Sequence, residues 1–372
     1  MKLTIERAAL LKALSHAQSV VERRTTIPIL SNVLLRAEAG SLALSATDMD
    51  LEMVERVPAQ IEREGRTTVP AHTSYDIVRK LREGSQIELE ATGERNSLVL
   101  RSGRSIFALQ SLPPEDYPIL ASGELPYNFV LPAAELRSLI DRTRFAISTE
   151  ETRYYLNGIY LHSTKNEGVP VIRAVATDGH RLARVEMLLP EGAAEMPGII
   201  IPRKAVLELR RLVEEIQEEV QIGLSETKIR FAVGPATLTS KLIDGTFPDY
   251  DRVIPSGNDK ILEVDCKSFA EAVDRVSTIT TEKSRAVKLA IENGVLVVSA
   301  TSPENGTAEE ELEARYLASP LEIGFNSRYL LDIAEQIQGD GARFVMSDAG
   351  SPTIVRDSGD SSVLYVLMPM RV

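Results

Sequence analysis

The residues best placed for proton chemistry in this 372-residue chain stand together in Thr177-Asp178-Gly179-His180-Arg181-Leu182. An aspartate two positions before a histidine can act as an orienting partner for a general base, the chemistry of a hydrolase. The same string has a structural reading, in which Asp-Gly makes a tight turn after a strand over 171–176 and His180 lies on the next strand. The turn is favoured because nothing that would complete a catalytic site accompanies it. The chain has no G-x-S-x-G elbow, and Cys266, its one cysteine, opens a helix with no histidine near it in sequence. It also lacks a G-x-x-x-x-G-K-[ST] or G-x-G-x-x-G phosphate loop. His16, His72, His162 and His180 are far apart in sequence, and none forms an H-E-x-x-H pair. One cysteine also excludes a disulfide framework and a multi-cysteine zinc site. No catalytic residue, metal or cofactor is expected.

Composition sets the class of molecule. Hydrophobic residues make up 43% and charged residues 26%, the mixture of a folded globular chain rather than a disordered or collagen-like one. Apolar stretches such as 198–202 are far short of the ~20 residues a spanning helix needs, and the first residues lack a signal-peptide core. A cytoplasmic location without membrane contact is the expectation. The length implies two or three cores.

The elements that would carry these residues repeat with a period near 130. One unit is a strand followed by an amphipathic helix, seen at 2–21, 128–144 and 260–276. Its apolar residues recur at helical spacing, as in Leu10, Leu11, Leu14 and again in Leu136, Leu139, Ile140. A second strand–helix unit occurs at 68–81, 199–213 and 321–337, with helices expected over 74–81, 206–213 and 329–337. Pro70, Pro132 and Pro202 fit a first helical turn, where no amide donor is required. Ala46-Thr47-Asp48, Ala176-Thr177-Asp178 and Ala300-Thr301-Ser302 recur in register at strand ends, and Pro114-Glu115-Asp116-Tyr117 is echoed by Pro248-Asp249-Tyr250. Four kinds of echo in one order imply a threefold repeat. The expected fold class is α+β, with two helices and about eight strands in each of three domains over 1–127, 128–258 and 259–372. Their antiparallel sheets can join edge to edge.

Charge is unevenly placed. The chain carries 42 basic and 54 acidic side chains, net −12, which taken alone opposes nucleic-acid binding. The six helical windows nevertheless sum to about +6, leaving about −18 elsewhere. If all six helices line one face, that face attracts phosphate while the rest of the surface repels it. Arg203 and Lys204 open the most basic of these windows. An acidic scaffold that binds peptides without DNA is the competing binding class, and a hydrolase built on Asp178 and His180 is the competing enzyme.

With these features in view, the chain resembles the bacterial DNA polymerase III beta subunits, the replicative sliding clamps. The resemblance spans the whole chain. It is most specific in Arg153-Tyr154-Tyr155-Leu156-Asn157-Gly158, in Ala176–Leu182 as quoted above, in Thr239-Ser240-Lys241-Leu242 with Phe247-Pro248-Asp249-Tyr250, and in the terminal Met368-Pro369-Met370-Arg371. It implies a head-to-tail homodimer, a six-domain ring whose helices face duplex DNA. It also implies a non-catalytic subunit that tethers the replicative polymerase, the clamp loader and other partners through short peptide motifs. By resemblance, Arg24, Tyr154 and Tyr155 match DNA-contacting positions. The partner groove is matched by Leu156, Thr177, Gly179, His180, Arg181, Leu182, Pro248, Arg252, Val253, Val366, Met368, Pro369, Met370 and Arg371, with Asn326 and Tyr329 beside them. His180, Arg181 and Arg371 would give that groove polar and cationic edges. Ring closure is implied at Arg104 and Phe107 on one side and at Ile279, Glu282 and Lys283 on the other. His72, Glu150 and Thr278 depart from the residue types the resemblance leads one to expect.

Overall fold

The computed structural model describes residues 1–92, 96–120, 123–214, 216–281 and 285–372. Its contacts divide the chain into two compact units. One unit comprises Met1–Arg137, Pro190–Pro197 and Lys204–Leu242; the other comprises Ser138–Leu189, Gly198–Arg203 and Ile243–Val372. Among the described residues no helix is long and apolar enough to cross a membrane.

Six α-helices occur among the described residues: α1 (Arg7–Val20), α2 (Ala71–Lys80), α3 (Ala133–Arg144), α4 (Arg203–Glu214), α5 (Cys266–Ser277) and α6 (Ser327–Ala334). Each of the five whose inward face is defined buries one stripe. In α1 it is Leu10, Ala13, Leu14, Ala17 and Val20, spaced three and four apart as a 3.6-residue turn requires. In α5 it is Cys266, Phe269, Ala272, Val273 and Val276. Caps fix two of the starts: the Asp265 carboxylate accepts from Ser268 N at 2.8 Å, and the Asn326 side chain accepts from Arg328 N at 3.0 Å. The prolines correct the sequence reading. Pro70, Pro132 and Pro202 are the last residues of strands Gly65–Pro70, Tyr127–Pro132 and Ile199–Pro202, not the first turn of the helices. Each of these strands lies at a sheet edge, where a residue without an N–H leaves no ladder bond unmade. Helices α2 and α4 start at 71 and 203, directly after these prolines and ahead of the expected windows at 74 and 206.

The first unit holds two antiparallel sheets. The five-stranded one runs in the order Gln60–Arg63, Lys2–Glu6, Gln86–Thr92, Ser97–Ser102, Ser105–Gln110. The eight-stranded one is continuous because Leu51–Pro58 pairs with Ala236–Lys241, with Leu51 opposite Ser240. In the second unit, Arg181–Leu188 pairs with Asp360–Leu367 in the same manner, with Leu182 opposite Val366, making a nine-stranded sheet. A four-stranded sheet completes that unit, and one of its outer strands, Gly306–Glu313, pairs among the described residues only with Val295–Ser302. Eight or nine strands and two helices fall in each third of the chain, so the architecture is α+β with a threefold internal repeat.

The repeat extends to individual hydrogen bonds. Thr47 Oγ1 donates to Leu51 O at 2.8 Å, and Asp48 Oδ1 accepts from the amides of Asp50 and Leu51. One repeat later, Thr177 Oγ1 donates to Arg181 O at 2.6 Å, and Asp178 Oδ1 accepts from the amides of His180 and Arg181. The left-handed residue of the turn is Met49 (φ +78) in the first copy and Gly179 (φ +88) in the second. Asp178 is therefore a turn former whose carboxylate is engaged, and it makes no hydrogen bond to the His180 ring.

Cys266 is buried under α6, its thiol donating to Ala334 O at 3.6 Å. Burial, reinforced by Asp265 and Asp357, pushes the thiol up to about 11. At pH 8 the neutral thiol dominates, so labelling by a disulfide reagent should run roughly two orders of magnitude slower than for an exposed cysteine. Urea should restore the ordinary rate. Fast labelling of the folded protein would show that α5 and α6 do not pack as described.

Candidate functional site

The second unit gathers most of the groove residues expected from sequence. Leu182 and Val366 face each other across the ladder, and Ile354 lies opposite Val366 on the next strand. These residues join Leu156, Val175, Ile200, Phe247, Tyr250 and Leu364 in one buried cluster, with Tyr155 and Ile254 packed on it. Leu156, Leu182 and Val366 are each under 5% exposed, so they form a floor rather than open pocket walls. The accessible apolar surface comes from Val253 at 50% and Met368 at 39%. Val253 ends the short 3₁₀ turn Tyr250–Val253, and Met368 N donates to His180 O at 3.0 Å. Pro248 is exposed between two cluster aromatics, and Arg252 pairs with Asp249 at 2.8 Å.

A polar wall adjoins the strand that carries Leu182. Arg181 is 9% exposed, and each of its three side-chain nitrogens donates a hydrogen bond. Its Nε donates to Asp178 at 3.1 Å, Nη1 to Asp332 at 2.5 Å and Nη2 to Phe145 O at 2.7 Å, while the Tyr329 ring covers its face at 4.3 Å. His180 is exposed and stacks on Tyr329, with centroids 6.4 Å apart. His180, Arg181, Asn326 and Tyr329 line one cavity of about 620 Å³, into which Arg144, Arg203, Arg285 and Arg328 also project. Thr177 serves the turn. Gly179 holds a left-handed conformation (φ +88) that side chains rarely adopt, and a Cβ there would also push the Arg153 guanidinium aside. Arg153 in turn grips Glu150 with two bonds, 2.8 and 2.6 Å, and those bonds hold the Glu150 carboxyl below its usual range. The Glu150 departure noted from sequence is thus an internal ion pair, not a free negative charge.

The terminal string is divided. Met370 N donates to Gly324 O at 2.8 Å, bridging the tail to strand Leu321–Asn326. Met370 and Arg371 line a second cavity of about 700 Å³ with Lys288, Glu322 and Val372, apart from His180 and Arg181. Pro369, half-buried, lies between the two groups.

Of the residues expected to meet DNA, Arg24 is exposed just beyond α1, and Arg203 is exposed at the start of α4. Tyr154 is 53% exposed and meets half-buried Tyr155 edge-on, with centroids 5.7 Å apart. Lys204 needs correction. Its ammonium donates to Val20 O at 2.9 Å, to Asp48 at 2.6 Å and to Glu22, which uses all three of its protons. It ties the end of α1 to the Thr47-Asp48 turn, so its charge is cancelled locally. His72 is likewise held, between Gln18 at 2.8 Å and Val21 O at 3.1 Å.

Arg104 is exposed in the turn before Ser105–Gln110, and Phe107 is half-buried on that strand. Ile279 is half-buried beyond α5, where Thr278 forms the helix C-cap. Glu282 and Lys283 lie outside the described residues. Sequence reasoning missed Ile106, 66% exposed on the same edge strand as Phe107, and Asp332, the partner of Arg181. Asp332 could have been found three residues after Tyr329, on the same face of an expected helix.

Comparison with known proteins gives a consistent result. Three models of the DNA polymerase III beta subunit match in succession: the N-terminal domain over residues 1–121, the central domain over 130–249 and the C-terminal domain over 251–371. The beta sliding clamp of Caulobacter vibrioides is 56% identical over 372 residues, covering all of both chains. That of Escherichia coli K12 is 39% identical, also at full coverage. The crystal structure of a sliding clamp from Bartonella birtlesii bound to griselimycin superposes with a TM-score of 0.97 at 54% identity, covering 100% of each chain. A Caulobacter crescentus clamp superposes with 0.98 at 56% identity, covering 100% of this chain and 99% of that one. With three matched domains in order and relatives aligned end to end, the chain belongs to the DNA polymerase III beta subunit family, the sliding clamps of DNA replication.

Proposed function

We propose that the chain works as a DNA sliding clamp by closing head to tail with a second copy into a six-domain ring around duplex DNA. Its domains are 1–127, 128–258 and 259–372. One observation carries this reading. In the first two thirds, the strand that follows the Ala-Thr turn pairs with the last strand of the next third: Leu51–Pro58 with Ala236–Lys241, and Arg181–Leu188 with Asp360–Leu367. In the last third the equivalent strand is Gly306–Glu313, which among the described residues pairs only with Val295–Ser302. Conversely, Ser105–Gln110, the last strand of the first third, pairs among the described residues only with Ser97–Ser102. Both strands are sheet edges with an unmet ladder. A second copy supplies each with the partner type that its equivalents already have, and the joined sheet would have nine strands, as the sheet built on Arg181–Leu188 has.

Side chains favour the same pairing. Gly306–Glu313 presents exposed Glu309, Glu311 and Glu313, while Arg104 is exposed at the start of the opposing edge. Phe107 and Ile279 supply half-buried apolar surface. Such a contact is heterologous and ends only when the ring closes.

Encirclement removes the need for tight binding. Arg24 and Arg203 offer sequence-blind attraction to phosphates, and Tyr154 offers a face for stacking. Exchange among phosphates is fast, so the ring slides. The groove around Val253, Met368 and His180 takes short peptides from the replicative polymerase, the clamp loader and other partners, which raises the polymerase's effective concentration at its template. The griselimycin complex of the Bartonella relative supports a ligand-accepting surface. The work would be done in the cytoplasm, beside the chromosome.

The test is topological. Protein loaded on nicked circular DNA should remain through gel filtration and be lost once the circle is cut. Equal retention on linear and circular DNA would overturn the ring. A flat response of direct DNA association to salt would overturn the phosphate attraction.

A further inference from the structure

We infer that Arg181 and Asp332 form a latch that positions the polar wall of the groove, and that Arg181 is not a charge offered to the partner peptide. The inference rests on the groove reading above. An arginine that contacts a ligand needs donors or a face to spare, and Arg181 has little of either. Three of its five N–H donors end on Asp178, Asp332 and Phe145 O, and the Tyr329 and Phe145 rings lie over it at 4.3 and 5.1 Å. Two carboxylates against one guanidinium cancel the charge of Arg181 itself, so any attraction for an acidic peptide falls to Arg144, Arg203, Arg285 and Arg328 around the same cavity.

The three anchors belong to different elements. Asp178 is in the turn that carries Gly179 and His180. The Phe145 carbonyl follows the end of α3. Asp332 and Tyr329 are on α6, one turn apart. The guanidinium thus holds α6 at a fixed distance from the His180 turn, and the His180–Tyr329 stack sits on top of that link. Planarity matters here: three divergent donors and a stacked face cannot be supplied by an ammonium. The Asp332–Arg181 pair is 25% and 9% exposed on its two sides, so solvent screens it little and its geometry is held. Asp332 is therefore a positioning residue for partner binding that touches no partner.

The experiment measures, by calorimetry, affinity for a synthetic peptide carrying the clamp-binding segment of the replicative polymerase, and the His180 ring resonances by NMR, where the chain's four histidines allow assignment. Asp332→Asn should weaken peptide binding by about tenfold, the scale of a lost coupling between neighbouring groups. It should also move the His180 ring signals, whose shift depends on Tyr329, and leave those of His16, His72 and His162 in place. Asp332→Glu, which keeps the charge and serves if the first variant folds poorly, should give a smaller change of the same kind. Val253→Asp separates the two readings. If it abolishes binding while Asp332→Asn changes neither affinity nor His180, the latch is wrong and the groove stands. If Val253→Asp has no effect, the groove reading falls, and the His180 signals alone decide the latch.

Discussion

Ile106→Asp should halve the mass of the protein in solution, from about twice 40.9 kDa to 40.9 kDa, at micromolar concentration. Ile106 is 66% exposed at the outer edge of the five-stranded sheet, so an aspartate there meets water in a single chain and costs the fold little. In a closed ring the same carboxylate would be buried beside a strand already carrying Glu309, Glu311 and Glu313. Losing one buried isoleucine forfeits about 1.5–3 kcal/mol per interface, and burying an unpaired charge costs several more. A two-interface ring incurs this twice. The equilibrium should therefore move by several orders of magnitude. Light scattering reads it directly, with melting temperature as the control for an intact fold. A variant that stays at double mass would place the closing contact elsewhere and remove the argument from unmatched edges. Retention on circular DNA should disappear together with the dimer.

The second large effect concerns the groove. Val253→Asp combined with Met368→Asp should reduce stimulation of the replicative polymerase by about a hundredfold, with the mass and the retention on circular DNA unchanged. Both side chains are solvent-facing, so each substitution removes an apolar anchor worth about 1–2 kcal/mol and adds a charge to an apolar contact without opening a void. Leu182→Ala is a poorer probe. Leu182 is 2% exposed in the shared cluster, and its truncation should cost about 2–5 kcal/mol of stability, confusing lost binding with lost fold. Removing residues 368–372 has a similar drawback, because Met368 N and Met370 N close bonds to His180 O and Gly324 O. Undiminished stimulation by the double variant would sink the groove assignment.

Much of this architecture could be read from residue order because the repeat states it three times. Helical spacing of Leu10, Leu14 and Ala17, or of Phe269, Ala272 and Val273, depends only on neighbours along the chain, and the helices formed where that spacing lies. The starts of α2 and α4 were misplaced for a local reason. A proline is compatible with both a strand end and a first helical turn, and only the ladder partner decides between them. Long-range pairing was legible only as a possibility, since nothing in Leu51–Pro58 names Ala236–Lys241 as its mate. Charge arithmetic failed most clearly at Lys204, which adds +1 to its helix in any sum along the sequence. In space Glu22 and Asp48, more than 150 residues away, consume it. Arg181 misled in the same way. A cation beside a histidine in a motif suggests an outward contact, whereas three acceptors and a ring turn it inward. Most of the groove positions came through family resemblance rather than through any local pattern.

Because the second and last thirds each lend their last strand to the third before, the repeats visible in the sequence are not separable pieces of protein. A fragment cut at 127 would keep Leu51–Pro58 but lose the strand that completes its ladder, and would expose a raw hydrogen-bonding margin to any neighbour. Insertions, tags and split sites are better sited in the hairpin tips, such as Gly103-Arg104 or Ser358-Gly359, than at the seams between repeats. Even there, the tip at Gly103-Arg104 borders the edge proposed to close the ring and should be left alone when assembly is to be preserved.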